Sequence, residues 1–322
     1  MVLTLPPLPV AAEPTPRIDS SPDLLILARD AAPLGQQRII ERAAMRGELV
    51  RLVQGAYIRS THWNSLDEGG RHRMRVHATI AMMRTPLTVS HLSAIAFLEV
   101  PIFGTFPERV HALRADAAGG RSTRAVVRHT TSVIPDRVNV EGVVITAPSR
   151  TVVDVARSAS LANAVTVADA ALKMGLITRS DLQLQHELLG SGRGCRQGAF
   201  ITEFADGASA NGGESYARLL MHQAGFTSPL LQAEFVDSYG SMYVDFYWPA
   251  AKIAVEFDGF QKYSRSEFLQ GRTPAEVVWH EKRREDRLRA LGLRVVRIVW
   301  SDLITPGALA RILSSAGVPR LR

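Results

Sequence analysis

The stretch Tyr243–Gly259 has the sequence YVDFYWPAAKIAVEFDG, in which two apolar runs flank a proline-containing turn. Its period-two alternation predicts the two β-strands of a hairpin, with Asp245 on the same face as the tyrosines on either side of it. A turn centred on Pro249-Ala250 would pair Asp245 with Ala254 and make Asp245 and Glu256 diagonal neighbours, about 7–8 Å apart. The sequence therefore predicts two acidic side chains close together in a half-buried sheet.

Two carboxylates in this position indicate a cation site. Anions held close together in a half-buried sheet repel each other unless a divalent metal ion or a proton offsets them. Asp245 and Glu256 are therefore candidate metal ligands, or each pairs with a basic side chain of the sheet, Lys252 or Arg297. Asp258 precedes a glycine, so it is either a further ligand or a residue that ends the strand in a turn.

The segment from Glu214 to Leu303 resembles the very short patch repair endonuclease-like proteins, a branch of the PD-(D/E)XK nuclease superfamily. The likeness rests on Glu214 in a helix, Asp245 in a strand, the string Glu256-x-Asp258-Gly259-x-x-Lys262, and a helix and strand from Glu281 to Arg297. One position departs from the superfamily, since Asp258 stands where a lysine is usual. Lys262 is the nearest substitute, and Lys282 on the following helix is a second.

The resemblance implies hydrolysis of phosphodiester bonds with Mg²⁺ or Mn²⁺. Asp245 and Glu256 would hold the metal through oxygen ligands and leave positions for water and a phosphate oxygen. Glu214 would complete the metal shell, or it is only a favourable charge at the positive end of its own helix. Lys262 would place a positive charge at the reacting phosphate, or it is a solvated lysine after a glycine turn.

Composition bounds the rest of the interpretation. The 322 residues are 46% hydrophobic, enough for two or three domains with buried cores. The 38 basic residues, mostly arginine, exceed the 31 acidic ones, which favours a phosphate-bearing partner such as DNA. A single cysteine, Cys195, excludes an internal disulfide and zinc fingers, as suits a reducing cytoplasm.

The amino-terminal residues predict neither a leader nor a membrane anchor. Residues 1–19 are rich in proline and lack the basic and apolar regions of a signal peptide, so we expect a disordered arm. No run of about 18 or more apolar residues occurs along the chain. We therefore expect a soluble, cytoplasmic protein with no membrane partner.

Residues 20–62 predict helices followed by a short basic hairpin. Asp23–Asp30 and Gly35–Met45 are the expected helices, and Gly47–Ile58 is expected to form two strands around a turn at Gln54-Gly55. The inward side of the second helix should carry Ile39, Ile40, Ala43 and Ala44. This order resembles the winged-helix N-terminal domain of AbiE-type antitoxins.

Five arginines are the candidate DNA contacts that this resemblance implies. Arg38, Arg42 and Arg46 would lie on or beside the recognition helix, and Arg51 and Arg59 on the wing, where they would contact phosphates. The alternative is an ordinary helix-and-hairpin subdomain with a solvated arginine face.

Residues 70–189 resemble, less specifically, the companion region of the same antitoxin-like proteins, and we expect a middle α/β domain. His91, His111 and His129 show no metal-ligand spacing, so we expect them to be structural or surface residues. Residues 190–213 are predicted to form a linker, and residues 214–322 the nuclease-like domain.

The sequence thus predicts an α/β (α+β) protein with a winged helix, a middle α/β region, and a restriction-endonuclease-like mixed sheet flanked by helices. We expect a DNA-binding protein with a metal-dependent endonuclease-like domain, acting in phage defence or DNA repair. The alternative is an antitoxin-like transcriptional regulator whose nuclease fold is inactive and whose partner is a cognate toxin. A third hypothesis is a structural adaptor in phage defence or DNA repair that recruits other proteins.

Overall fold

The computed structural model of the protein describes residues 2–4, 20–31, 37–115, 122–258 and 274–321. The chain divides into two compact units. The amino-terminal unit comprises residues 1–164 and 175–203, and the carboxy-terminal unit comprises residues 165–174 and 204–322. Both units combine helices with β-sheet, which confirms the predicted α/β class. The predicted domains 20–62 and 70–189 fall within one unit, apart from residues 165–174.

The amino-terminal unit contains nine described strands and nine described helices, the first strand beginning at Val2. The strands are β1 (Val2–Thr4), β2 (Ile26–Leu27), β3 (Leu49–Val53), β4 (Ala56–Arg59), β5 (Thr88–Val89), β6 (Val110–Ala115), β7 (Val126–Thr131), β8 (Arg137–Val140) and β9 (Val143–Thr146). The helices are α1 (Ala28–Ala31), α2 (Gln37–Met45), α3 (Ser60–Ser65), α4 (Glu68–Met82), α5 (His91–Phe97), α6 (Pro148–Ser158), α7 (Leu161–Lys173), α8 (Arg179–Leu189) and α9 (Cys195–Phe204). Helix α7 and the last residue of α9 extend into the other unit.

A helix followed by a hairpin occupies the position of the predicted winged helix. Helix α2 precedes strands β3 and β4, which pair antiparallel around a turn where Gly55 has φ of 83°. Strand β2 adds to the other edge of β4, so the sheet order is β2-β4-β3. The hairpin and its turn are as predicted.

Two details of this region were predicted wrongly. Residues 23–30 do not form one helix, because a 3₁₀ turn at Pro22–Leu24 and strand β2 come before α1. On α2, Ile40 and Ala43 are buried and Ala44 is half-buried, as expected, but Ile39 is 58% exposed.

Residues 32–36 lie outside the described part of the chain, and so does most of the predicted arm 1–19.

A six-stranded mixed sheet, ordered β1-β8-β9-β5-β6-β7, forms the rest of this unit with its helices. Parallel pairs (β1 with β8, β9 with β5, β6 with β7) alternate with antiparallel pairs (β8 with β9, β5 with β6). The stretch 190–213, predicted as a linker, contains the ten-residue helix α9. The stretch is therefore more structured than its glycine-rich beginning, residues 190–194, led us to expect.

The carboxy-terminal unit is built on a second mixed sheet. Its elements are α10 (Gly212–Gln223), β10 (Leu230–Asp237), β11 (Gly240–Trp248), β12 (Ile253–Asp258), α11 (Pro274–Ala290), β13 (Arg294–Val299), α12 (Trp300–Ile304) and α13 (Ala308–Ala316). Strands β10, β11 and β12 are antiparallel in that order, and β13 pairs in parallel with β12 after the crossover through α11.

Apolar clusters cover this sheet on two sides. One contains Phe246 and Val255 together with buried residues of α10, α12 and α13. The other contains Val244 and Ala254 together with Leu288 of α11. Because Val244 and Phe246 belong to different clusters, the period-two alternation predicted for β11 breaks at the residue between them.

The predicted hairpin register was wrong by two residues. In the structure Ala254 pairs with Tyr247, whereas the sequence predicted that Ala254 pairs with Asp245. The reason is the turn, which is a 3₁₀ helix over Pro249–Ala251 closed by Lys252 in the left-handed conformation. This turn is longer than the two-residue turn that we expected, so every later residue pairs with a different partner.

Candidate functional site

Glu214 lies in the first turn of α10, in the carboxy-terminal unit. Asn211 caps this helix, and its side chain accepts hydrogen bonds from the backbone of residues 213 and 214. Gly213 permits α10 to begin directly against β12, since a Cβ atom there would lie 2.2 Å from a ring carbon of Phe257. Glu214 is consequently only 3% exposed, although glutamate is seldom buried.

Three donors satisfy the Glu214 carboxylate. Its Oε2 accepts from the backbone nitrogen of Ala210 at 2.7 Å, and its Oε1 accepts from Asn211 Nδ2 at 2.7 Å. The third donor is Gln232 of β10, whose Nε2 lies 3.1 Å from Oε2. Glu214 is thus held in one orientation and does more than balance its own helix dipole.

Gln232 also reaches Asp245, so one amide group bridges two acids. Its Nε2 lies 3.0 Å from Asp245 Oδ1. An amide nitrogen carries two hydrogens and can donate one to each carboxylate. Gln232 has a φ of 47°, a left-handed conformation that few non-glycine residues adopt, and this conformation falls where the alternation of the sheet breaks.

Asp245 lies opposite Gln232 in the ladder, between the pairs Leu231–Phe246 and Ala233–Val244. Its second oxygen, Oδ2, accepts from the backbone nitrogen of Phe257 at 2.8 Å. Asp245 therefore links β10 and β12 through its side chain. We call the three residues Glu214, Gln232 and Asp245 the carboxylate cluster.

The electrostatics of the carboxylate cluster favour one bound proton or cation. Burial raises the pKa of Glu214 to about 7, and the negative charge of Asp245 adds to the rise. The hydrogen bonds from Ala210 and Gln232 and the charge of Lys173 act in the opposite direction but do not cancel it. At neutral pH a proton on the Glu214 carboxyl is therefore less costly than a proton on an exposed glutamate.

Glu256 makes a different contact from the one that the sequence predicted. It lies on β12, is 7% exposed, and pairs with Arg284 of α11 at 2.7 Å between Oε1 and Nη1. Arg284 also donates to the backbone oxygen of Tyr243. Sequence analysis did not single out Arg284, because nothing in a charged helix indicates which arginine faces the sheet.

The remaining predicted residues of this site are Asp258, Lys262 and Lys282. Asp258 is the last residue of β12, half-buried and paired with Val299 in the parallel ladder. Lys262 lies outside the described residues, and Lys282 is exposed on α11. Within the described ranges, no group of three or more histidine, cysteine, aspartate or glutamate side chains is arranged to hold a metal ion. The described donor set is therefore the carboxylate pair of Glu214 and Asp245.

Three histidines that looked unrelated in sequence meet in the amino-terminal unit. The rings of His91 and His129 stack with centroids 3.7 Å apart, and His129 Nε2 lies 3.3 Å from His111 Nδ1. Ser90 Oγ lies 2.9 Å from His91 Nδ1. The parallel pairing of β6 with β7 brings His111 and His129 together. Knowing that these two strands pair would have been enough to predict this contact. We call His91, His111 and His129 the histidine cluster.

These histidines are held in their neutral form. Burial lowers the pKa of His111 to about 4, and neighbouring His129 contributes further. Burial also lowers the pKa of His91 well below its ordinary value. A hydrogen bond between two imidazole nitrogens needs one donor and one acceptor, so it is lost when both rings are protonated. The contacts within the cluster therefore favour neutral imidazole rings.

The five predicted DNA-contacting arginines are all exposed. Arg38 and Arg42 lie on α2, Arg51 lies on β3 and Arg59 ends β4. Arg46 follows α2 and pairs with Glu48 at 2.6 Å, so its charge is partly compensated.

Comparison with known proteins gives relatives but no family. No protein-family model matches the chain. Two Mycobacterium tuberculosis proteins, "Uncharacterized protein MT2308" from strain CDC 1551 and "Uncharacterized protein Rv2248" from strain H37Rv, are each 34% identical to it over 173 residues. The aligned part is 53% of this chain and 60% of each relative. Among the helices that the structure describes, none has the length and hydrophobicity needed to cross a bilayer.

Proposed function

We propose that the protein binds DNA and that its carboxy-terminal unit is a metal-dependent endonuclease that hydrolyses phosphodiester bonds. The observation that carries this proposal is the carboxylate cluster, in which the buried Glu214 and the half-buried Asp245 share one amide group. Like charges in a buried position are costly unless a proton or cation offsets them, and the raised pKa of Glu214 reflects that cost.

The donor chemistry of the cluster fits a hard divalent cation. Glu214 and Asp245 offer carboxylate oxygens, the ligands that Mg²⁺ and Mn²⁺ prefer. Glu256 and Asp258 on β12 are candidates to add further oxygen ligands. When bound, the ion would neutralise charge that develops on the phosphate and lower the pKa of a coordinated water.

Surrounding groups of the chain would keep the acids in place for this chemistry. The backbone N–H of Phe257 orients Asp245, and the donors from Ala210 and Asn211 orient Glu214. Arg284 places a positive charge beside Glu256, and we propose that it supplies part of the charge stabilisation that the superfamily obtains from a lysine. Lys262, which follows β12, is the other candidate for this role.

Exposed arginines of the amino-terminal unit would supply the grip on DNA. Arg38, Arg42, Arg51 and Arg59 project from a helix and a hairpin that succeed each other as in a winged helix. Arginine matches phosphate geometry through its planar fork of donors. This part of the proposal rests on exposure and charge.

One observation favours a second function, an antitoxin-like regulator with an inactive nuclease fold. The ion pair with Arg284 already compensates Glu256, and Asp258 occupies the position of the usual lysine. In that case the carboxy-terminal unit would be a platform for a partner such as a cognate toxin or another defence protein.

A cleavage assay separates the two functions. The full-length protein is incubated with single- and double-stranded DNA and either Mg²⁺ or Mn²⁺, beside Asp245→Ala. We expect metal-dependent cleavage that the substitution reduces by about a hundredfold or more, the scale for losing one preorganised charged group. Intact DNA with both metals, together with retained DNA binding, would favour the regulator.

A further inference from the structure

The exposed side of α11 carries side chains that the carboxylate cluster does not use. Trp279, Arg283 and Arg287 follow one another at four-residue intervals, so they lie along one face of the helix. Tyr239, in the turn between β10 and β11, adds a second aromatic ring beside them. We call Trp279, Arg283, Tyr239 and Arg287 the aromatic–arginine ladder.

Guanidinium groups stack on both rings of this ladder. The Arg283 guanidinium carbon lies 4.7 Å from the Trp279 ring centre and 5.9 Å from that of Tyr239. The Arg287 guanidinium carbon lies 5.5 Å from the Tyr239 ring centre. Arginine and aromatic planes thus alternate along the surface, an arrangement stabilised by cation–π attraction.

The ladder has a fixed framework. Arg287 Nε lies 2.7 Å from Asp237 Oδ2, and its Nη2 donates to the backbone oxygen of Gly240 at 2.9 Å. The same Asp237 accepts from the backbone nitrogen of Tyr239 at 2.7 Å. One aspartate therefore holds both the turn that carries Tyr239 and the guanidinium group of Arg287.

Exposure distinguishes these rings from ordinary core aromatics. Tyr239 is 73% exposed and Trp279 is 53% exposed. Within the described part of the chain, Arg283 makes no ion pair, so its charge remains available to a phosphate. An uncompensated cation between two exposed aromatic rings is complementary to a chain of bases and phosphates.

We propose that the aromatic–arginine ladder binds unpaired nucleotides of a single-stranded nucleic acid. Aromatic rings and guanidinium planes stack on bases of any sequence, and arginine neutralises the backbone between them. Bases within a duplex already stack on each other, so their faces are not available. The proposal rests on the proposed function and sharpens it, since Arg284, which contacts Glu256, lies next to Arg283 on the same helix.

The test measures affinity without cleavage. A fluorescein-labelled oligothymidylate of about 16 nucleotides, the upper end of common single-strand site sizes, and a duplex of the same length are titrated with full-length protein in EDTA. Fluorescence anisotropy reports binding. Because no metal is present, a failure of the nuclease proposal leaves this measurement intact.

The variants are Tyr239→Leu with Trp279→Leu, and separately Arg283→Ala. The matched control is Arg311→Ala, which removes an exposed arginine from α13 of the same unit. We expect the double variant to bind the oligothymidylate at least about tenfold more weakly, Arg283→Ala to bind it several-fold more weakly, and the control to bind as wild type. Duplex affinity should change less than single-strand affinity. All three variants replace exposed side chains, and circular dichroism checks that they fold.

Three results would overturn the proposal. In the first, both ladder variants bind the oligothymidylate as tightly as wild type. In the second, they lose single-strand and duplex affinity equally, which would make the ladder a general charged surface. In the third, they change only the self-association seen by sedimentation, which would make the ladder a contact between copies.

Discussion

The histidine cluster and the carboxylate cluster respond to burial in opposite directions. In the amino-terminal unit burial lowers the pKa of His111 to about 4, whereas in the carboxy-terminal unit it raises the pKa of Glu214 to about 7. The physical cause is the same, since a buried group favours its uncharged form. The histidines reach that form and satisfy each other, but Glu214 cannot become neutral without taking a proton. The same physical effect therefore favours neutral imidazoles in the histidine cluster and a proton or a cation at Glu214 in the carboxylate cluster.

The two clusters should also respond oppositely to pH. A histidine whose folded pKa is lowered stabilises the fold above its unfolded value of 6.5, and that stability is lost as pH falls toward 4. A glutamate whose folded pKa is raised costs stability as pH rises from 4.5 through about 7.

The largest expected effect is acid destabilisation through the histidine cluster. The difference between 6.5 and about 4 at His111 corresponds to about 3 kcal/mol lost by pH 4. Urea unfolding at pH 7 and pH 4.5 should show this loss in wild type and a smaller loss in His111→Gln. His222→Gln, at an exposed histidine of the other unit, is the control. An equal loss of stability in both variants would show that His111 does not cause the acid destabilisation.

The next effect concerns metal affinity. If Glu214 must lose its proton to bind Mn²⁺, the dissociation constant should weaken about tenfold for each pH unit below 7, or about a hundredfold by pH 5. Calorimetry with the full-length protein measures this. His111→Gln should bind Mn²⁺ as wild type does, because His111 is not among the proposed Mn²⁺ ligands. A pH-independent affinity would show that Glu214 is not a ligand.

A smaller effect distinguishes the two predicted metal-binding strand residues. Asp245→Asn removes the negative charge that adds to the rise in the Glu214 pKa caused by burial, so between pH 5 and pH 8 without metal the variant should gain stability relative to wild type. Glu256→Gln should lack this pH-dependent gain, because Glu256 pairs with Arg284. Urea unfolding at both pH values measures the free energy of unfolding of each variant. Equal gains in the two variants would show that the Asp245 charge does not act on Glu214.

The smallest change in stability is expected where charges are exposed. Arg38→Ala and Arg42→Ala should leave the thermal midpoint unchanged but weaken duplex binding, each reducing the salt slope by about one. Arg46→Ala is the control, since Glu48 already compensates this arginine. Equal losses at all three positions would point to general charge attraction without a recognition helix.

Local patterns predicted much of this fold. The α/β class, the hairpin around Gly55 and the strand hairpin with Asp245 and Glu256 follow from alternation and turn residues. The register of that hairpin could not be predicted, because it depends on Lys252 taking a left-handed conformation that no sequence pattern marks. The pairing of Glu256 with Arg284 depends in turn on how α11 packs.

The carboxylate cluster was only half predicted. Glu214 and Asp245 were expected to be candidate ligands, and the structure brings them to the same amide group. Gln232 was missed because a glutamine in a strand is chemically unremarkable until its partners across the ladder are known. The histidine cluster was missed for a similar reason, since the three residues come from separate elements.

A metal site at the carboxylate cluster is tested most directly by titrating the Glu214 carboxyl with carbon-13 NMR, with and without saturating Mg²⁺. Glu214→Gln identifies its resonance. We expect a Glu214 pKa of about 7 without metal and a fall below the ordinary 4.5 when Mg²⁺ binds beside Asp245. An unchanged Glu214 pKa at saturating Mg²⁺ would contradict a metal site at the carboxylate cluster.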